Sequence, residues 1–210
     1  MLQNLTADVF LMLPALLIAL TFHEYAHAWA ADRLGDPTPR MRGRLTLSPL
    51  AHIDPIGFVM LVLFRFGWAK PVEVNPYNFD NRERGLAWVS LAGPAMNLSL
   101  GFIAMVLLHV VSFNPKLTAM ARLLDWLALY NVYFAVFNLI PIPPLDGSKL
   151  LFFFLPRATV YRYLDTVAQY GLLILILVVS TGMISRTLGR VAGLILYFYD
   201  RIALMLLGFN

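Results

Sequence analysis

The stretch Thr21-Phe22-His23-Glu24-Tyr25-Ala26-His27 lies inside an apolar run that extends from about Leu5 to Ala31. It has the pattern H-E-x-x-H, whose two histidines lie about 40° apart around a helix. Both imidazole rings therefore project from one face, at a spacing that suits two ligands of a tetrahedral zinc ion. Glu24 is placed to act as a general base toward water at that metal. Because polar groups in a hydrocarbon-compatible helix are costly, the run predicts a membrane helix that carries a metal site.

The composition is that of a membrane protein. Of the 210 residues, 60% are hydrophobic and 13% are charged, whereas an ordinary soluble domain has about 25% charged residues. Several apolar runs are long enough to cross a bilayer. We predict an all-α polytopic membrane protein, a single domain over residues 1–210 with about five transmembrane helices. The predicted spans cover residues 5–31, 85–113, 117–140, 167–184 and 187–207.

The segment between the first two spans, residues 32–84, has a mixed character. The apolar run Ile56–Phe66 is too short to cross a bilayer as a helix, so we predict a re-entrant or interfacial segment. Val72, Glu73 and Val74 alternate between apolar and polar, as in a strand, and the flanking prolines would restrict such a strand to a sheet edge. The prediction is a re-entrant or β-like membrane-associated segment.

The distribution of Lys and Arg predicts the orientation. Residues 32–84 contain eight of these residues and residues 147–162 contain three, while the connections on the other side contain two each. The positive-inside rule then puts the N-terminus outside and the H-E-x-x-H in the cytoplasmic half of the membrane, a prokaryotic cell membrane by expectation. The net charge of +4 is modest, and we expect no nucleic acid partner.

A catalytic zinc site needs a third protein ligand. The chain has no cysteine, so the ligand must be His, Asp, Glu or Asn. Asp146 follows the proline-rich residues 141–144, which break the third helix at the depth predicted for His23. Asp146 is therefore the preferred third ligand, with His52 or Asp54 as the alternative. A different interpretation is that Asp146 only caps a following helix.

The remaining polar residues have several interpretations. Four acids flank helix ends and are expected to be solvated: Asp32, Asp36, Asp80 and Glu83. Asn138 could cap the broken helix or donate a hydrogen bond to an oxyanion or a substrate carbonyl. Asn97 lies on one helical face with Gly93 and Gly101, a spacing that lets another helix approach closely. This position favours an interhelical hydrogen bond from Asn97 over a role in the site. We expect His109 to be interfacial, and Asp200 and Arg201 to pair with neighbours or reach toward the interface.

Two motifs together carry a family resemblance. The first is His23-Glu24-Tyr25-Ala26-His27, and the second is Asn138-x-x-Pro141-x-Pro143-Pro144-Leu145-Asp146-Gly147. With them the chain resembles the site-2 protease family of intramembrane zinc metalloproteases, peptidase family M50. Gly93-Pro94-x-x-Asn97 resembles a further motif of that family, and residues 67–76 are similar to its membrane-associated β segment. The resemblance covers about residues 10–155.

The resemblance implies an enzyme that hydrolyses peptide bonds in or near transmembrane segments of membrane proteins, in regulated intramembrane proteolysis. It implies one Zn²⁺ per chain, held by His23, His27 and Asp146, with Glu24 as the general base. Substrate or oxyanion contacts would fall to Asn138 and Asn97, and the substrate-presenting strand to Val72, Glu73 and Val74. We expect a compact form without a PDZ-like or CBS-like domain, with a catalytic core over about 5–155 and accessory helices over about 165–208. The expected partners are a transmembrane-helix substrate and the lipid bilayer, and the sequence carries no signal for an oligomeric state.

Three other classes of membrane protein deserve comparison. A prenyl-protein protease would use a glutamate as third ligand, but Glu73 and Glu83 are the only other glutamates and neither lies on a predicted transmembrane helix. A zinc-binding or transport protein would not need Glu24. A membrane di-iron hydroxylase needs about eight histidines, and this chain has four.

Overall fold

The computed structural model describes residues 2–64, 67–180 and 183–208, and this part of the chain is built from α-helices. Four longer helices were predicted in nearly their observed positions, and the all-α class is confirmed. The α-helices are α1 (Leu2–Arg33), α2 (Thr38–Met41), α3 (Pro49–His52), α4 (Pro55–Phe64), α5 (Arg82–Ser112), α6 (Thr118–Asn138), α7 (Gly147–Leu150), α8 (Arg157–Ser180) and α9 (Met183–Leu206).

The helices α1, α5 and α6 pack against one another and form the centre of the protein. Small residues make this close approach possible, and Ala19 of α1 and Ala128 of α6 are almost completely buried. A side-chain carbon at Gly101 of α5 would come within 3.1 Å of the Val132 side chain on α6. The small-residue face predicted on the second long helix is therefore confirmed as a packing surface.

The last two helices, α8 and α9, are peripheral to this core. Helix α9 packs on α5 and α6, and α8 packs on α9. The Tyr199 hydroxyl donates a hydrogen bond to the carbonyl of Leu98 at 3.0 Å, and His109 Nε2 lies 3.0 Å from Asp200 Oδ1. The pairing expected for Asp200 is thus observed, and these contacts attach α9 to α5. The guanidinium of Arg201 lies over the Tyr197 ring.

The start of α8 differs from the prediction. We predicted a helix over 167–184, but α8 already begins at Arg157, directly after Pro156. The charged residues of its first turns are exposed, so the helix continues past the apolar part without burying charge. The predicted end of this helix includes residues 181–182, which lie outside the described residues.

The connection between α1 and α5 contains no strand in its described part, 34–64 and 67–81. Its β structure is limited to one antiparallel bridge, between Ile53 and Ala69. The prediction of a strand at Val72–Val74 is therefore wrong for the chain alone, because these residues have no partner strand with which to form a ladder. The apolar run 56–66 forms α4 as far as Phe64, and residues 65–66 lie outside the described part.

Two of the described helices are long and apolar enough to cross a membrane by length and composition. They are Phe10–Arg33, within α1, and Arg82–Ser112, which is α5. Both belong to the central three-helix packing. The other predicted spans and the re-entrant segment stay predictions.

Candidate metal centre

Three potential metal ligands meet at the centre of the helix packing. His23 Nε2 lies 3.2 Å from Asp146 Oδ2 and His27 Nε2 lies 3.1 Å from the same atom. The two Nε2 atoms are 3.0 Å apart. All three side chains are buried, with exposed fractions of 4% for His23, 8% for His27 and 9% for Asp146. Among the described residues, these three form the group of His and acidic side chains that could hold a metal ion.

Neighbouring groups fix the orientation of both imidazole rings. The Asn97 amide nitrogen donates to the Ala19 carbonyl at 3.0 Å and to Asn131 Oδ1 at 2.7 Å, so its oxygen is the atom that faces His23. His23 Nδ1–H then donates to Asn97 Oδ1 at 2.5 Å. His27 Nδ1–H donates to the Val89 carbonyl at 2.7 Å. Both Nε2 atoms are left with a free lone pair, which is the tautomer that a metal ligand requires.

The donor set fits a zinc ion. Two Nε2 lone pairs and one carboxylate oxygen face one another without a hydrogen between them, and Asp146 Oδ2 has no hydrogen-bond partner among the described residues. Such an arrangement of acceptors is repulsive unless a cation lies between them. Tetrahedral zinc with bonds of about 2.0–2.1 Å separates its ligand atoms by about 3.3 Å, close to the spacing of the three atoms.

The irregular segment that follows the end of α6 brings Asp146 to the two histidines. Helix α6 ends at Asn138, and Gly147 lies directly against the carbonyls of Leu139 and Ile140, where a side-chain carbon would collide with both. This close approach folds the proline-rich segment back onto the end of α6. Helix α7 does begin at Gly147, but the Asp146 side chain makes no capping hydrogen bond to it. The interpretation of Asp146 as a simple helix cap is therefore wrong.

A cavity of about 150 Å³ opens onto the three ligands. Glu24 lines it beside the histidines and is almost buried, with 9% of its surface exposed. No described side chain forms a hydrogen bond with the Glu24 carboxylate, whose oxygens are thus free to accept a proton. Asn138 also lines the cavity, and its amide donates one hydrogen bond to the Phe134 carbonyl at 3.0 Å, leaving a second N–H available.

Comparison with known proteins gives the family. Residues 110–179 match the family model described as Peptidase family M50. The Bacillus subtilis protein named "Putative zinc metalloprotease YwhC" is 36% identical over 181 residues, which cover 82% of this chain and 81% of that protein. The chain belongs to peptidase family M50. The resemblance drawn from the two motifs is therefore confirmed.

Two further relatives of this M50 peptidase come from a mycobacterium and from Bacillus subtilis. The Mycolicibacterium smegmatis protein Rip2, named as a zinc metalloprotease in the same terms, is 32% identical over 196 residues, or 90% of this chain and 73% of that protein. Stage IV sporulation protein FB of Bacillus subtilis is 29% identical over 145 residues, or 64% and 48%. No solved structure matches this chain with a significant score. The prediction of a zinc-dependent peptidase is confirmed by the family and by the names of the relatives.

Several predicted site residues of the M50 peptidase lie elsewhere. His52 is fully buried and its Nε2–H donates to the Thr46 carbonyl at 2.8 Å, while Asp54 Oδ1 accepts from the Gly57 N–H at the start of α4. Neither residue reaches the ligand group, so the alternative third ligands are wrong. Asn97 lies behind His23, with its amide fully used by protein partners. It therefore orients the candidate ligand His23 and has no N–H left for a substrate, so the predicted substrate or oxyanion contact is wrong.

The predicted substrate-presenting residues divide into two groups. Val72 and Val74 line the cavity of the metal centre. Glu73 points away from it, is 61% exposed at its side chain, and lies 3.3 Å from the guanidinium of Arg42. The alternation read from the sequence is thus present as two opposite faces, although the segment forms no strand.

Gly93, named in the sequence only on a packing face and in a family-like motif, lies directly against the candidate metal ligands. A side-chain carbon at Gly93 would lie 2.5 Å from His27 Nε2 and 2.6 Å from His23 Cε1. Because Gly93 has no side chain, α5 packs directly against both imidazole rings. This packing holds the rings in place. The spacing of Gly93 and Asn97 indicates a helix-packing surface, and the structure shows that this surface lies against the candidate ligands His23 and His27.

Replacing Asn97 with leucine is expected to weaken zinc binding and activity by about 10–100-fold, the usual cost of losing a partner that orients a metal ligand. Leucine has a similar volume but cannot accept the hydrogen bond from His23 Nδ1–H. The measurement is zinc affinity of the purified protein by competition with a chelator. Ser99→Ala is the control, because Ser99 is exposed on the same helix and its hydroxyl donates to the Ala95 carbonyl of its own helix. Equal zinc affinity in Asn97→Leu and Ser99→Ala would contradict the orienting role.

Proposed function

We propose that this M50 peptidase cleaves peptide bonds in or near transmembrane segments of membrane proteins, and that it acts in regulated intramembrane proteolysis. The observation that carries the proposal is the position of the ligand group, buried among the three central helices, two of which are long and apolar enough to cross a membrane. A metal site at that position serves a substrate that itself reaches into the membrane.

The surface of the described helices supports about five membrane spans. Large apolar side chains are exposed along the outer faces of α5, α8 and α9, as expected for helices in contact with lipid. Examples are Ile103, Leu107 and Val110 on α5, Leu173 and Leu177 on α8, and Leu194, Phe198 and Met205 on α9. We propose that the N-terminus faces outward and that the cavity opens toward the cytoplasmic side, as the distribution of Lys and Arg predicts.

The proposed catalytic roles follow from the geometry of the cavity. His23, His27 and Asp146 would hold a zinc ion, which supplies a Lewis acid that activates water and polarises a peptide carbonyl. The Glu24 carboxylate accepts a proton from the attacking water as the new C–O bond forms, and later donates it to the leaving amine as the C–N bond breaks. Asn138, with its unused N–H, donates a hydrogen bond to the carbonyl oxygen as negative charge develops there.

The substrate must be extended to be cleaved, because a helical backbone is hydrogen-bonded to itself. Residues 72–74 make no backbone hydrogen bond within the described part of the chain. Their N–H and C=O groups are therefore available to an added strand, as in strand-addition recognition of peptides. Since Val72 and Val74 line the cavity, a peptide paired with this segment would pass the metal centre.

Removal of the metal tests the proposal. In proteoliposomes that contain the purified enzyme and a single-span membrane protein, chelation of zinc is expected to reduce cleavage to background, and added Zn²⁺ to restore it, because Glu24 alone cannot activate water sufficiently at neutral pH. Cleavage is followed by gel electrophoresis and the cleaved bond by mass spectrometry. Cleavage that occurs only in soluble, unstructured peptides, and never in the membrane-embedded substrate, would contradict the proposed substrate class.

A further inference from the structure

One wall of the metal cavity is an extended segment of four residues, 71–74, which we call the wall segment. Pro71, Val72 and Val74 line the cavity together with His23 and Glu24. Because the wall segment has no backbone hydrogen bonds within the described chain, its position depends on how its two ends are held.

The first end of the wall segment is held at Lys70. The Arg44 guanidinium donates hydrogen bonds to the carbonyls of Ala51 and Lys70. The Lys70 N–H donates to the His52 carbonyl at 2.9 Å, next to the bridge between residues 53 and 69. Arg44 and the short bridge thus fix the chain immediately before the wall segment.

The second end is held by Asp36, which follows the end of α1 after Leu34 and Gly35. Its carboxylate accepts four hydrogen bonds, and the residue has no exposed surface. Oδ1 accepts from the Thr38 N–H, the Thr38 hydroxyl and the Asn78 side-chain amide, at 3.1, 2.5 and 2.7 Å, and Oδ2 accepts from the Asn75 N–H at 2.7 Å. Burial alone would raise the pKa of Asp36, but the four hydrogen bonds together lower it by more. The pKa of Asp36 therefore lies below its ordinary value.

Asn75 is the residue next to Val74, so the bond from its N–H to Asp36 places the end of the wall segment. We propose that Asp36 is a positioning residue, which holds the wall segment at the correct distance from the metal site for an extended substrate. The proposal rests on the proposed function. Asp36 links the end of the helix that carries the H-E-x-x-H motif to the wall segment, which faces that motif across the cavity.

The Asp36 carboxylate is not needed to form the end of α1. The Asp36 N–H donates to the Ala31 carbonyl at 2.9 Å and the Leu34 N–H donates to Ala30 at 3.0 Å, and both bonds use the backbone alone. The ligands His23 and His27 lie more than two turns upstream and have their own partners. Loss of the carboxylate should therefore release residues 75–78 while leaving the metal ligands in place.

The test compares two isosteric changes, Asp36→Asn and Asp32→Asn. An asparagine at 36 has a single acceptor oxygen, so the Asn75 N–H or the other donors lose their partner. Asp32 pairs with exposed Arg40 at the same end of α1, at 2.6 Å, and among the described residues its hydrogen bonds go to Arg40 rather than to the wall segment. With the membrane-embedded substrate, Asp36→Asn is expected to raise KM about 10-fold with kcat little changed, since the loss is one of substrate placement. Asp32→Asn should match wild type, and zinc content should be unchanged in both.

A second measurement does not depend on cleavage. Because the chain contains no cysteine, a single Val72→Cys can be labelled with a water-soluble maleimide. We expect the labelling rate to rise several-fold when Asp36→Asn is added and to stay constant when Asp32→Asn is added. If the wild type cleaves no membrane-embedded substrate, the proposed function fails while this labelling still tests Asp36.

Two results would overturn the positioning role. One is an unchanged KM together with an unchanged labelling rate in Asp36→Asn. The other is loss of zinc or of the folded state in that variant, accompanied by wild-type KM and labelling in Asn78→Ala. Asn78→Ala removes one of the four donors at an exposed residue, so it should fold and raise both KM and the labelling rate by a smaller factor.

Discussion

Replacement of Glu24 by glutamine is expected to lower the cleavage rate by about 10²–10⁴-fold, the usual contribution of a positioned general base, while zinc still binds. Glutamine has nearly the same shape as glutamate, but its amide cannot accept a proton from water at neutral pH. The Glu24 carboxylate lines the cavity beside both histidines and has no hydrogen-bond partner among the described residues. Its replacement should therefore disturb neither the ligands nor the helix packing.

The measurement is the initial rate of cleavage of a single-span substrate in proteoliposomes, with zinc content determined on the same samples. Glu83→Gln is a matched control, because Glu83 lies in the first turn of α5, away from the cavity. The prediction would be refuted by wild-type cleavage in Glu24→Gln protein. Loss of zinc in that variant would mean that Glu24 supports the metal rather than the proton transfer, and would exclude the role assigned to it.

The convergence of the candidate metal ligands was largely predictable because its signals are local. The i, i+4 spacing of His23 and His27 fixes a common helical face, whatever surrounds the helix. A second local signal, the three prolines that follow α6, indicates Asp146, together with the depth predicted from the loop charges. The structure brings Asp146 Oδ2 to 3.2 and 3.1 Å from the two imidazoles, a convergence that neither motif predicts alone.

The errors concern residues whose environment is set by distant parts of the chain. Asp36 lies between Gly35 and Pro37 at a helix end, a position that predicts a solvated side chain. In the structure Asp36 is fully buried. Its burial depends on Asn75 and Asn78, about forty positions away, and no local pattern reports such a contact. The prediction that Asp36 is solvated is therefore wrong.

The wall segment illustrates the same limit in a different way. Alternation of Val72, Glu73 and Val74 correctly indicates two faces, since the valines line the cavity and Glu73 is exposed. A strand, however, also requires a partner that supplies hydrogen bonds. In the described part of the connection, short helices form instead of a partner strand. Only the alternating side-chain directions of residues 72–74 therefore agree with the prediction. Under the proposed function the missing partner is the substrate itself.

Replacement of Asp146 by asparagine is expected to abolish stoichiometric zinc binding and cleavage together. The change removes the negative charge from the ligand group and leaves a neutral amide, a weaker ligand for zinc. The loss of zinc affinity should exceed the about 10–100-fold expected for Asn97→Leu, because a direct ligand contributes more than the group that orients one. Asp146 makes no capping bond to α7, so the variant should fold, and zinc content after dialysis measures the effect.

Asp54→Asn is the matched control for Asp146→Asn, and it also tests the alternative ligand from the connection between α1 and α5. An asparagine at 54 keeps the oxygen that accepts the Gly57 N–H and removes only the charge, so zinc content and cleavage should equal those of wild type. The opposite pattern, with zinc lost in Asp54→Asn and retained in Asp146→Asn, would contradict the assignment of the third ligand. Because the two substitutions remove the same charge, a non-specific effect of charge would change both variants alike, and only direct ligation separates them.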